Sequence, residues 1–483
     1  MVVPDPITKD CFMIPTDPRS AAMDLAGGMV ASGRFRDELA DLVAHRTESQ
    51  NPTQAIELMR YLTEALVPRL EAMGFTCLMH ANPEPGGGPL LTATRFEAEG
   101  LPTILGYGHG DVIHGQDDQW RDGLSPFQLT EDQGRYWGRG VADNKGQHLI
   151  NLLAMESVIA TRGSLGFNAK LLFEMSEETG SRGLYAFCQA NRDLLAADVL
   201  IASDGPRLQP ETPTLFMGSR GALNFDLVVD LRKGAHHSGN WGGLLADPAI
   251  LLVQAIASIT DARGQIRIPE WRPTSLTPEV RAALADLPLE GEGPAIDPDW
   301  GEQSLTPAER AFGWNSFAVL AMKSGVPEAP VNAISGHARA TCQLRFVVGT
   351  DSGALIPALR RHLDAHGLQA VQIVMDEGIF PATRLAPDHP WVRRVADSVQ
   401  RTTGAAPHIL PNLAGSLPND CFSDVLGLPT IWVPHSWRGC CQHAPDEHMP
   451  IALAQSALRV MTGLYWDIGS GKVSGVTNGE TAQ

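Results

Sequence analysis

Four short apolar runs in this chain each lead toward a polar cluster, and helix-like stretches separate them. Thr103-Ile104-Leu105-Gly106-Tyr107-Gly108 runs into His109-Gly110-Asp111. Residues 169–175 run into Ser176-Glu177-Glu178, and residues 197–201 into Ser203-Asp204. Residues 429–433 form the last run, with His443 some residues beyond. Runs this short and apolar fit buried strands, whereas residues 146–160 place Leu149, Leu152, Leu153 and Val158 at helical spacing. Alternating strands and helices predict an α/β class with a mostly parallel sheet. Such sheets hold their ligands beyond the carboxyl ends of the strands. A random scatter of acids and histidines would not track strand ends, so the clusters are expected to share one site.

The stretch Gly138-Arg139-Gly140-Val141-Ala142-Asp143-Asn144-Lys145-Gly146 sets an acid in a glycine-rich turn. With the clusters above, it completes the parts list of a two-metal hydrolase site. Catalytic zinc takes imidazole and carboxylate ligands and keeps one position for water. Paired cations, held about 3.5–4 Å apart, repel each other and need a shared carboxylate. Asp143 is the candidate bridge, because flanking glycines let the backbone approach closely. His109 and Asp204 would complete one metal, and Glu178 and His443 the other. Asp111, two residues after His109, can point the same way and hold the imidazole by its second nitrogen. One of the adjacent Glu177 and Glu178 can bind metal while the other holds the bridging water and passes its proton to the leaving amine. Taken singly, each of these signals is explained as readily by a surface turn; their joint occurrence carries the reading. Lys145 reads as a solvated or ion-paired side chain, and His114 as exposed and outside the site.

A chain of 483 residues exceeds one compact core, so two domains are expected. Residues 18–216 and 378–468 would form the catalytic domain. Residues 217–377 change texture: strands at 222–231, 336–348 and 368–375 alternate with helices at 248–260 and 353–365. This predicts an inserted α+β domain of βαββαβ type, decorated by the Pro-, Asp- and Glu-rich residues 263–303. The formal net charge of -18 argues against a nucleic-acid partner. No run approaches a membrane span, and residues 1–15 lack a signal-peptide pattern. The seven cysteines show no metal-type spacing. Reduced thiols and a cytoplasmic location are therefore expected. Residues 469–483 are rich in Gly, Ser and Thr, and disorder is expected there.

Together the segments resemble the dinuclear-zinc peptidase family of carnosinase, acetylornithine deacetylase, succinyl-diaminopimelate desuccinylase and glutamate carboxypeptidase. His109-Gly110-Asp111-Val112, the Gly138 to Gly146 stretch, Glu177-Glu178-Thr179-Gly180-Ser181 and His443-Ala444-Pro445-Asp446-Glu447 stand in the family's order. The resemblance implies a catalytic domain with an inserted lid or dimerisation domain, and two divalent ions, zinc or else manganese or cobalt. It implies Glu177 as general base and acid, and a cis peptide after Asp143. His236-His237-Ser238-Gly239 is similar to a motif of the carnosinase branch; there His237 would reach the partner subunit's site in a homodimer and steady the developing oxyanion. Asn332 and Arg345 fall in segments similar to the lid's substrate contacts, Arg345 meeting a substrate carboxylate. Gly415 and Ser416 fall in the loop holding the substrate's other end. Ser335, Ala414 and the bulky stretch with Trp437 and Arg438 depart from the family pattern and leave the substrate open. The expected activity is hydrolysis of a peptide or N-acyl amino acid bond by a metal-bridging water activated by Glu177. A non-peptidic C–N bond (deaminase or N-carbamoyl hydrolase) and a non-catalytic binding relative are the alternatives.

Overall fold

The computed structural model describes residues 17–289 and 294–471. The expectation for residues 1–15 lies outside them, as does that for residues 472–483. Gly469, the first residue of the expected tail, ends the long Ile451–Gly469 helix.

The central sheet has eight strands. Their order is Thr76–His80, Leu90–Arg95, Asn168–Glu174, Thr103–His109, Val199–Ala202, Thr430–Trp432, Thr214–Phe216 and His408–Leu410. The four strands read from sequence lie side by side and parallel at its centre. Their polar clusters therefore leave the sheet along one edge, as the strand-end pattern required. The Thr76–His80 and Leu90–Arg95 strands join antiparallel at one side. The first of these is largely exposed and lacks the continuous apolar run that marks a central strand.

The Lys145–Arg162 helix packs against both Pro18–Ala31 and Ile451–Gly469. Cover on two sides explains why nearly all of its first thirteen residues are buried. Gly33, with a φ of 82°, separates the first helix, Pro18–Ala31, from the second, Arg34–Ala44. The next helical stretch carries a π turn at Tyr61–Leu66, between Ala55–Arg60 and Val67–Ala72. Pro68 has no amide hydrogen to continue the i→i−4 ladder, which accounts for the irregularity. No helix among the described residues is long and apolar enough to cross a membrane.

A second, antiparallel sheet orders Ser316–Ser324, Ala333–Phe346, Gly221–His237 and Gln372–Phe380. The helices Pro248–Ile259 and Leu355–Ala365 contribute to its core with Leu223, Phe225, Leu227 and Trp271. Strict alternation of buried and half-buried positions along residues 223–229 is the signature of one covered face. The Ser316–Ser324 strand was not legible, because it is an edge strand exposed on most positions. The last strand continues to Phe380, past the expected limit at 377. In this sheet Arg345 pairs with Ala222, and Ala333 pairs with His237. From Ala333 to Arg345 the strand spans roughly 40 Å at ~3.3 Å per residue.

Candidate metal centre

His109 is the last residue of its strand and is fully buried. Its Nε2 lies 3.1 Å from Oδ1 of Asp143 and 3.6 Å from Oδ2 of Asp204. Nε2 of His443 lies 3.2 Å from the other Asp143 oxygen and 2.9 Å from Oε2 of Glu178. The two oxygens of one carboxylate thus face two different imidazoles. All five residues singled out as ligands meet here, from five separate stretches of chain. His443 is 56% exposed while the Glu178 side chain is only 3% exposed, so the cluster opens to solvent on the His443 side.

Asp111 does more than orient an imidazole. His109 Nδ1 sits 3.1 Å from its carbonyl oxygen and 3.5 Å from its carboxylate. The two carboxylate oxygens accept the backbone amides of Glu177 and Glu178, each at 3.1 Å. Those amides open the short Glu177–Thr179 turn, so one buried carboxylate sets both the first imidazole and the paired glutamates.

The loop that carries Asp143 is held from behind. Glu447 accepts from the amides of Gly140 at 3.1 Å, Ala142 at 2.9 Å and Asp143 at 3.1 Å. Its other oxygen accepts from Arg139 at 2.8 Å. Gly140 adopts φ 89°, where a Cβ would also meet the Lys145 side chain at 2.9 Å. The peptide between Asp143 and Asn144 is cis, as the resemblance implied. Asn144 donates to the carbonyl of Ser203, tying this loop to the strand end that carries Asp204.

Lys145 corrects the sequence reading. It is fully buried, and Nζ donates to the carbonyls of Leu42 at 3.0 Å and His45 at 2.7 Å. The ammonium closes the C-terminal end of the Arg34–Ala44 helix, where carbonyls lack intrahelical partners. Glu447 and Lys145 are parts of the site whose roles were missed. Glu447 stands four residues past His443, within a segment already singled out, but no local pattern tells a carboxylate which amides it will face.

The electrostatics of the cluster are those of too many acids for too few cations. Burial, then Asp143, pushes Asp204 up to about 6. Burial also pushes Glu178 up to about 7, against its bond to His443. Burial raises Glu177 well above its ordinary value, with Glu178, Asp204 and Asp143 adding to it. His443 is pushed up to about 11 by its bonds to Asp143 and Glu178. Burial works against charging His109, yet Asp111 and Asp143 outweigh it and raise its pKa well above normal. Five carboxylates around two imidazoles would carry excess negative charge, which divalent cations would offset. Asp204 Oδ2 is buried without a hydrogen-bond partner among the described residues, as a ligand oxygen would be. One ligand atom each from His109, Asp143 and Glu178 falls within 4.8 Å of the others. The donor set of imidazoles and carboxylates fits divalent zinc, manganese or cobalt.

The substrate residues expected on the second sheet form two groups. Arg345 Nη1 donates to Ser416 Oγ at 3.0 Å, and Ser416 in turn donates to the carbonyl of Arg220. The amide of Arg220 donates to the carbonyl of Gly415. Leu413, whose carbonyl also accepts the Arg220 amide, lies close to Asp204: a Cβ on the adjacent Gly205 would meet the Leu413 side chain at 3.1 Å. His237 and Asn332 form the other group. The amide of Ser238 donates to the carbonyl of Asn332 at 2.8 Å, and His237 is exposed. They lie at the opposite end of the long strands from Arg345.

The profile of peptidase family M20/M25/M40 matches residues 105–467. The cysteinylglycine-S-conjugate dipeptidase of Corynebacterium striatum is 26% identical over 391 residues, covering 80% of this chain and 84% of that protein. The Beta-Ala-His dipeptidase of Mus musculus is 36% identical over 184 residues, covering 38% of this chain and 37% of that protein. The solved di-peptidase Dug1p of Saccharomyces cerevisiae superposes with a TM-score of 0.76 at 20% identity, over 94% of this chain and 98% of its own.

Proposed function

We propose, for a chain that belongs to peptidase family M20/M25/M40 and is a metal-dependent peptide hydrolase, a dipeptidase activity on small substrates bearing a free carboxylate. The observation that carries the site assignment is Asp143, whose two oxygens lie 3.1 Å and 3.2 Å from His109 and His443. That is the arrangement a bridging carboxylate needs. His109 and Asp204 would hold one cation, and Glu178 and His443 the other, with zinc preferred over manganese or cobalt. A bound cation pair polarises the scissile carbonyl and lowers the pKa of the attacking water.

The side chains supply the rest. Glu177, positioned through its amide by Asp111, takes the water's proton on its carboxylate and delivers it to the leaving amine nitrogen. Arg345 holds the substrate carboxylate, since a planar guanidinium suits a bidentate contact; Ser416, expected at the substrate's other end, is placed beside the same carboxylate by its 3.0 Å bond from Arg345. Gly415 lines the same loop without a side chain to obstruct it. Within one chain His237 sits roughly 40 Å of strand away from Arg345. That separation supports His237, with Asn332, acting on the site of a second subunit in a homodimer. The net charge of -18 weighs against a nucleic-acid partner, and cysteines without paired or metal-type spacing support a cytoplasmic setting.

Glu177→Ala tests the reading. It should retain divalent metal while hydrolysis of dipeptides falls by roughly 10²–10⁴ or more. Near-normal turnover in that variant would remove Glu177 from the role. Assaying dipeptides beside N-acetyl and N-carbamoyl amino acids separates peptidase from deacylase and carbamoyl-hydrolase activity.

A further inference from the structure

A cavity of about 510 Å³ lies where the Pro307–Phe312 helix, the start of the Ser316–Ser324 strand and Ala414 meet. Small-molecule pockets run from about 300 to 1,000 Å³. Ile266, Phe312, Trp314 and Phe317 give it mainly apolar walls. Part of the wall, with Trp300, comes from the segment read in the sequence only as a decoration.

Two features tie this cavity to the carboxylate site. Ser316 lines it and pairs in register with Arg345 on the neighbouring strand. Ala414 lines it and stands two residues before Ser416, a reach of at most ~7 Å. A side chain leaving a substrate residue held at Arg345 and Ser416 therefore has this cavity within its span.

The polar groups narrow the occupant. Arg220 and Arg438 face the cavity and make no ion pair among the described residues. Arg220 gives its terminal nitrogens to the carbonyls of Ala311 and Arg345 and to the Ser316 hydroxyl, and its Nε is buried without an acceptor among the described residues. Trp314 Nε1 is likewise buried with no acceptor among the described residues. Buried donors left without acceptors are unfavourable, and an acceptor on a ligand would satisfy them. Arg310, Asp297 and Glu302 also line the cavity, so charges of both signs face it and neither an anionic nor a cationic side chain is favoured.

We propose that this cavity is a specificity pocket for a bulky, uncharged and preferably aromatic side chain on the carboxylate-bearing residue of the substrate, with a neutral acceptor such as a phenol oxygen at its far end. The proposal rests on the reading of Arg345 and Ser416 as the carboxylate site.

The test measures kcat/KM for Gly-Tyr, Gly-Phe and Gly-Gly with the wild type, Trp300→Ala and Trp314→Phe. Trp300 is 59% exposed, so truncating it should leave the fold intact. The wild type should prefer Gly-Tyr over Gly-Gly by at least ~10-fold, and Trp300→Ala should reduce that ratio by ~10-fold. Trp314→Phe should erase the advantage of Gly-Tyr over Gly-Phe. Unchanged ratios in both variants, with hydrolysis intact, would overturn the pocket and spare the catalytic reading. Calorimetry of L-tyrosine and glycine binding to Glu177→Ala protein, with and without Trp300→Ala, gives a readout independent of turnover. Tighter L-tyrosine binding that weakens with Trp300→Ala, together with a wild type that hydrolyses no dipeptide, would sustain the pocket and overturn the catalytic reading. L-tyrosine binding that ignores Trp300→Ala would overturn the pocket.

Discussion

Glu447 accepts the backbone amide of Asp143 at 3.1 Å, so the residue that positions the proposed bridging carboxylate lies four places beyond the His443 ligand candidate. The same Glu447 pairs with Arg139, and both side chains are only 1% exposed. Removing one charge of a buried pair costs about 3–5 kcal/mol, because the partner is left uncompensated. We predict that Glu447→Gln lowers the thermal midpoint and weakens metal affinity by roughly 10–100-fold. Titration against a competing chelator measures the second effect. Unaltered metal affinity would assign Glu447 to stability alone.

Metal binding should be visible in stability itself. A ligand that binds only the folded chain stabilises it by ~2.7 kcal/mol at a hundredfold excess over Kd. Adding zinc to chelator-treated protein should therefore raise its thermal midpoint, and Asp143→Ala should abolish most of that rise. Equal responses in wild type and variant would place the bound metal elsewhere.

The position of His237 makes a mixing experiment decisive. Glu177→Ala and His237→Ala should each be nearly inactive alone. If His237 serves the partner's site, random reassociation of the two variants should restore about a quarter of the sites in a dimer. Absence of recovery after confirmed subunit exchange would refute action across subunits.

Asp420 should make stability depend on pH. It is 7% exposed, and burial, with Asp424 adding to it, pushes its carboxyl from 3.8 up to about 6. The folded chain therefore holds this proton more tightly than the unfolded chain. Its contribution is most favourable below about pH 4 and is lost as the pH rises through 6. Asp420→Asn keeps the shape of the protonated acid. We predict a gain of at most ~3 kcal/mol at pH 8 that shrinks at pH 5, read from thermal midpoints. A gain that is equal at both values would show that charge is not its cause.

Much of the centre of the molecule was legible before any coordinates. Buried parallel strands are continuous apolar runs, and the polar residues that follow them stand out by contrast. His109, Glu177, Glu178 and Asp204 were found in this way. The edge strands Thr76–His80 and Ser316–Ser324 were not, because partial exposure removes the periodic contrast that marks a strand. Lys145 was misread for a related reason: a lysine between Asn144 and Gly146 gives no local sign that two helix-end carbonyls wait for its ammonium.

The chain's local patterns determined which side chains were available for metal chemistry and that strand ends would carry them, since apolar runs and turn residues act over a few positions. Only the tertiary structure decided which oxygen of Asp143 faces which imidazole, that Glu447 grips the loop, and that Arg345 and His237 stand at opposite ends of paired strands. Those relations join residues up to hundreds of positions apart, and their energies depend on distance and burial, which exist only once the chain has packed.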